Sequence, residues 1–172
     1  MSNKRTGSIQ RNVMGIDWGH QPDQTYAVVI DASNGDVRVA SATPPGGYKV
    51  TRHWAFALAD EWHVDSVWIE ANSIDGPNIE ELQASGLPVI PVASTHSHMT
   101  FLIQSVMVAE ERGEVVLHGW TRLQAALSAC EFYERHGVVL YRMPYTASSG
   151  PLVALALAWY GARHSAFGIS FV

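Results

Sequence analysis

Three short apolar runs follow one another near the start of this chain, and helical patterns set in only after them. "NVMGID", Asn12–Asp17, and "QTYAVVID", Gln24–Asp31, read as strands with the polar loop "WGHQPDQ" between them. "DASNGD" is a hairpin-type turn into a third strand near Val37–Ala42, and "TPPGGY" ends that pattern. Val50, Trp54, Leu58 and Trp62 then recur at steps of four, one stripe of an amphipathic helix. "VDSVWIEAN" is a buried strand ending at Glu70. Pro77 and Asn78 start a helix that Gly86 stops, and "LPVIPVAS" is the next strand. A helix around Met99–Glu111, a short strand "EVVLHG", a helix around Thr121–Arg135 and an extended "GVVLYRMP" follow. "SSGPLVALALAWYGAR" closes the series as an almost wholly apolar helix, with Pro151 suited to its first turn. A strand meander followed by helix–strand alternation predicts an α/β fold, a mixed β-sheet flanked by α-helices.

The 172 residues are 47% hydrophobic and 16% charged, which predicts one globular domain over residues 12–172 behind a polar, flexible arm at 1–11. The net charge of −5 argues against a protein that holds nucleic acid by bulk electrostatics, although a locally basic groove is compatible with it. The single cysteine, Cys130, leaves no intrachain disulfide and no cysteine-based zinc site. It reads as a small core residue, and its solitude fits a reducing, cytoplasmic setting. No segment has the apolar length of a membrane span, and "MSNKRTGSIQRN" lacks the apolar stretch of a signal peptide.

Two acids stand out. Asp17 and Glu70 each end an apolar strand, and each is followed by small or polar residues, "DWG" and "EAN". If the two strands are neighbours, the carboxylates converge at one end of the sheet. Unpaired carboxylates there repel, and a hard divalent cation such as Mg²⁺ or Mn²⁺, which takes oxygen ligands, removes the repulsion. A plainer reading is that both acids only terminate strands, since Asp and Gly are common turn residues. Pattern alone supports both.

The order of segments is that of the ribonuclease H-like fold. "GIDWGHQPDQTYAVVI", "VWIEANSIDGPNIEELQASGLPVIPVAST", "MTFLIQSVMVAEERGEVVLHG" and "LVALALAWYGAR" together resemble the C-terminal nuclease domain of the large terminase subunit of tailed phages, over nearly the whole chain. The resemblance implies a ribonuclease H-like mixed sheet and metal-dependent endonuclease chemistry on double-stranded DNA. It implies Asp17 and Glu70 as catalytic metal ligands for Mg²⁺ or Mn²⁺, and Asp23 as a secondary ligand. It also implies a terminase ATPase domain or other packaging proteins as partners, in the cytoplasm of a bacterial or phage-infected cell. Asp75, in the turn pair of "SIDGPN", is a further candidate ligand. His20 and His98 are candidate substrate contacts, and Trp18 a packing residue beside the site.

The chain also departs from the family pattern. Where the family places acids before its closing helix, this sequence reads "TASSGPLVAL", with Ser148, Ser149 and Gly150 in their place and Val153 at the later position. Serine and glycine are good helix-start residues, but a hydroxyl is a weak, neutral substitute for an anionic ligand. Where the family often has a lysine, "THSHMT" offers His96 and His98, which read as loop histidines. No G-x-x-x-x-G-K-[ST] occurs, so no P-loop motor is encoded here. The alternative is a catalytically degenerate ribonuclease H-like domain that binds DNA or protein. A junction resolvase or transposase of related fold is a third reading, separable by substrate.

Overall fold

The structure is a computed structural model that describes residues 11–19, 24–71 and 76–165. The elements run β1 (Asn12–Asp17), β2 (Tyr26–Asp31), β3 (Val37–Ala42), α1 (Tyr48–Glu61), β4 (Val64–Glu70) and α2 (Gly76–Ala84). β5 (Val89–Val92), α3 (His96–Glu111), α4 (Thr121–Ala129), β6 (Glu131–Arg135), β7 (Val138–Arg142) and α5 (Gly150–Ser165) complete the chain. Five strands form one sheet in the order β3-β2-β1-β4-β5. β1 pairs antiparallel with β2 and parallel with β4, and β4 pairs parallel with β5. This is the mixed ribonuclease H-like sheet that the segment order predicts.

The sheet is buried on both faces, which explains why β1, β2 and β4 are continuous apolar runs rather than alternating ones. On one face Met14, Ile16, Ala27, Val29, Val67 and Ile69 meet α1 and α2 residues such as Ala55, Leu58 and Leu82. On the other, Val13, Val28, Ile30 and Trp68 meet α3, α4 and α5. α5 is buried nearly all round, with Leu152 through Ala158 no more than 3% exposed. It lies directly on β1. A Cβ built on Gly15 would collide with the carbonyl oxygen of Ala154 and the amide nitrogen of Ala158, so backbone meets backbone there and only glycine fits.

Four local expectations are corrected. The helix predicted through Arg135 ends at Ala129. Cys130 turns to an extended conformation (φ −69°, ψ 127°) and Glu131–Arg135 pairs with Val138–Arg142 as a hairpin. Its two-residue turn, His136 (φ 53°) and Gly137 (φ 76°), uses positive φ at both positions, which matches the right-handed twist of the strands. "EVVLHG" is not a strand: Val116 makes one isolated bridge to Asp36, while Val115 and Leu117 are buried in the core. In α1 the buried face is Thr51, Ala55, Leu58 and Ala59. Trp54 and Trp62 pack partly against it, while Val50 is exposed. Finally, His96 and His98 lie in the first turn of α3, not in a loop, with Thr95 as the N-cap accepting from the His98 amide.

Candidate active site

Asp17 is the last residue of β1 and Glu70 the last of β4. These strands are parallel neighbours with Ile16 opposite Ile69, so the two acids are the next pair in register. Adjacent strands lie about 4.8 Å apart. Side chains alternate along a strand: Ile16 and Ile69 point toward α1 and α2, which turns Asp17 and Glu70 to the α3/α5 face. The structure therefore brings the two strand-end carboxylates together, on one face and at one end of the sheet.

Three further groups complete the surroundings. The Ser94 hydroxyl, just past β5, donates to Glu70 Oε1 at 2.5 Å. Tyr141 of β7 lies close enough to both acids to feel their charges. Burial first, and then the charges of Glu70 and Asp17, push its phenol up to about 12, so it is a neutral hydroxyl at neutral pH. Its ring stacks on His96, with centroids 4.7 Å apart and planes 17° apart. Its amide donates to Thr100 Oγ1 at 3.1 Å. His96 Nε2 is 3.1 Å from the Tyr141 carbonyl oxygen, which can only accept, so the proton sits on Nε2. The hairpin is thus pinned to the first turns of α3, and Tyr141 with it.

The third neighbour is the start of α5. A Cβ on Gly150 would stand 3.1 Å from Asp17 Oδ2 and would clash with the Tyr26 ring. Glycine here lets the positive end of the helix come against the Asp17 carboxylate, a favourable pairing. The Ser149 carbonyl accepts the first helical bonds, from Leu152 and Val153, and Ser148 Oγ accepts from the Gly150 amide at 3.2 Å. Val153 is 3% exposed and belongs to the core. Serine hydroxyls and a buried valine therefore occupy the places that "TASSGPLVAL" marks as lacking acids. Among the described residues, no three His, Cys, Asp or Glu side chains group closely enough to hold a metal.

Asp23, Asp75 and His20 lie outside the described residues. His98 sits in the first turn of α3, where its ring meets Tyr160 of α5 edge-on at 6.2 Å. Trp18 is 5% exposed and packs on the α1/α2 side of the sheet. Sequence reading missed Ser94, Tyr141 and the steric role of Gly150. A faint signal for Ser94 exists, since "VAS" ends the strand beside "IEA". Tyr141 gives no sequence signal, because a hairpin carries it to the site from 71 positions beyond Glu70.

As a donor set, two carboxylates and flanking hydroxyls offer only hard oxygen atoms. That suits a hard dication such as Mg²⁺ or Mn²⁺. Two negative charges match one such ion.

No protein-family profile matches the sequence, and no characterised protein matches it by sequence. Solved structures do match the fold. The large terminase nuclease of thermophilic phage G20c with bound magnesium superposes with a TM-score of 0.78 at 19% identity, over 88% of this chain and 82% of that one. The Thermus phage P74-26 large terminase nuclease domain gives 0.76 at 20% identity, over 88% and 80%. The HK97 bacteriophage large terminase gives 0.70 at 13% identity, with 88% of this chain on 39% of that one. Among the described residues, no helix is long and apolar enough to cross a membrane. The chain has the ribonuclease H-like fold of the phage large terminase nuclease domains.

Proposed function

We propose that the chain is a divalent-metal-dependent endonuclease domain acting on double-stranded DNA, with Asp17 and Glu70 as the ligands of Mg²⁺ or Mn²⁺. The single observation that carries this reading is the pair of carboxylates at the consecutive ends of parallel neighbours β1 and β4. The terminase nuclease with magnesium among the matching structures supports it at the level of the fold. The bound cation would supply Lewis-acid polarisation of a phosphodiester and a more acidic water. Asp17 and Glu70 hold and orient their carboxylates on rigid strand ends. Ser94 fixes one Glu70 oxygen, and the N-terminal end of α5 lies against the Asp17 carboxylate. Tyr141, kept neutral, offers an O–H donor to a phosphate oxygen beside the acids. A terminase-type ATPase domain or other packaging protein is the proposed partner.

The test is incubation of the purified protein with supercoiled plasmid and Mn²⁺ beside Asp17→Ala. Nicking by the parent at least a hundredfold faster than by the variant, about 2.7 kcal/mol of barrier, is the expected result. Equal nicking by both removes the catalytic claim. A second reading is favoured by Ser148, Ser149 and Val153 standing in place of acids: a degenerate domain that keeps the fold and binds DNA or protein. Calorimetric titration with Mn²⁺ separates the two, since site-specific uptake lost in Asp17→Ala counts against degeneracy.

A further inference from the structure

Tyr145 is 105% exposed, so nothing among the described residues packs on its ring. A lone exposed aromatic is ordinary on a protein surface; its position is what singles this one out. The segment after β7 is anchored at both ends to the candidate site. On one side Tyr141, within reach of the charges of both acids, is clamped by His96 and Thr100. On the other, Gly150 abuts Asp17. Between them the Ala147 amide donates to the Pro144 carbonyl at 2.9 Å, closing a tight turn with Tyr145 at its tip. Five residue steps separate Tyr145 from Gly150, a ceiling of about 17 Å, so the ring stands within a few nucleotides of any phosphate held at the acids.

The electrostatics leave such a contact a clear role. The chain has 11 Lys and Arg against 16 Asp and Glu, so counterion release offers little affinity. Arg142, a cation on the same segment, is committed to Glu131 at 2.7 Å and lies over the Tyr133 ring. Stacking on a base needs no charge. Tyr141 is already stacked on His96 and has no free face to offer on that side, whereas both faces of Tyr145 meet solvent.

We propose that Tyr145 is a substrate-contacting residue that stacks on an unpaired nucleobase next to the cleavage position, making the domain prefer DNA with a frayed, bulged or single-stranded segment. Within a paired duplex each base is covered on both faces by its neighbours, so a side chain on a turn tip finds a stacking partner only where a base is unstacked. The inference rests on the nuclease reading for the nature of the ligand, and it is tested without cleavage.

The experiment measures fluorescence anisotropy of a fluorescein-labelled duplex carrying a short unpaired bulge and of the fully paired duplex, with EDTA present. The expected result is that the parent binds the bulged DNA about tenfold more tightly. Tyr145→Ala brings the two affinities together, and Tyr145→Trp restores the preference. Because Tyr145 packs on nothing among the described residues, both variants keep the fold, which circular dichroism checks. An equal preference in the parent and Tyr145→Ala, or none in the parent, overturns the inference while leaving the nuclease reading standing. Failure of the parent to bind either DNA also overturns the inference, and the nuclease reading is judged separately by the Mn²⁺ nicking assay.

Discussion

Glu70 spreads its charge over two oxygens, and the Ser94 hydroxyl already holds one of them. A hydrogen bond of that kind fixes the carboxylate in one rotamer, so that a cation need not spend affinity on ordering it. Ser94→Ala is expected to weaken Mn²⁺ binding about tenfold in calorimetric titration, while changing stability by no more than about 1 kcal/mol. Unchanged affinity would mean that Ser94 only fills space. A different carboxylate governs the acid limb of stability. Asp31 is almost wholly buried at the end of β2, and it accepts from Ser33 N at 2.9 Å, Ser33 Oγ at 2.6 Å and Arg38 Nη2 at 2.5 Å. Burial alone would raise its pKa. The Ser33 and Arg38 bonds outweigh burial and hold the carboxyl below its ordinary value. Its contribution is therefore complete above the unfolded value near 3.9, and it drains away as pH falls through the lower folded value. Urea denaturation should show Asp31→Asn less stable by about 1–3 kcal/mol at pH 7, with a smaller further loss between pH 4 and pH 2 than in the parent.

At the scale of elements, α5 and β1 set where the site is. Their contact is backbone on backbone through Gly15, Ala154 and Ala158. Gly15→Ala is expected to cost about 3 kcal/mol or more, measured by chemical denaturation, because neither neighbouring backbone atom has a rotamer through which to yield. The first five strands along the chain, the acids at the ends of β1 and β4, and a closing helix that starts around Pro151 were legible in the sequence, since each rests on a local signal: an apolar run, a turn residue, a capping residue. The β6–β7 hairpin was not. Leu123, Ala126, Leu127 and Cys130 keep a helical spacing up to the last turn, and that continuity masked the "HG" turn which reverses the chain. Val115 and Leu117 alternate like a strand yet bury themselves with a single bridge, because α3 and the β2–β3 turn already cover them. The surroundings of the acids were least legible, because Ser94, Tyr141 and Gly150 reach them only through tertiary packing.

For the whole molecule, the proposed metal reading links cation binding to folding. A site of two like charges on neighbouring strand ends is relieved by a dication that binds only the folded form. At a hundred times its dissociation constant, Mn²⁺ would add about 2.7 kcal/mol, roughly a 5–10 °C rise in melting temperature for a chain of this size. Scanning calorimetry should find that rise in the parent and none in Asp17→Asn; a rise in both would place the ion elsewhere. The seam between Gly15 and α5 has one more consequence. A helix seated with no side chains at the joint has no slack, so its leading end cannot drift when its residues change. Ser148 already accepts the Gly150 amide, a duty that aspartate performs equally well. Ser148→Asp should therefore deliver a third anion to the Asp17 neighbourhood without re-engineering the scaffold, and tighten Mn²⁺ uptake. Such a chain stands a single codon away from a fuller coordination sphere.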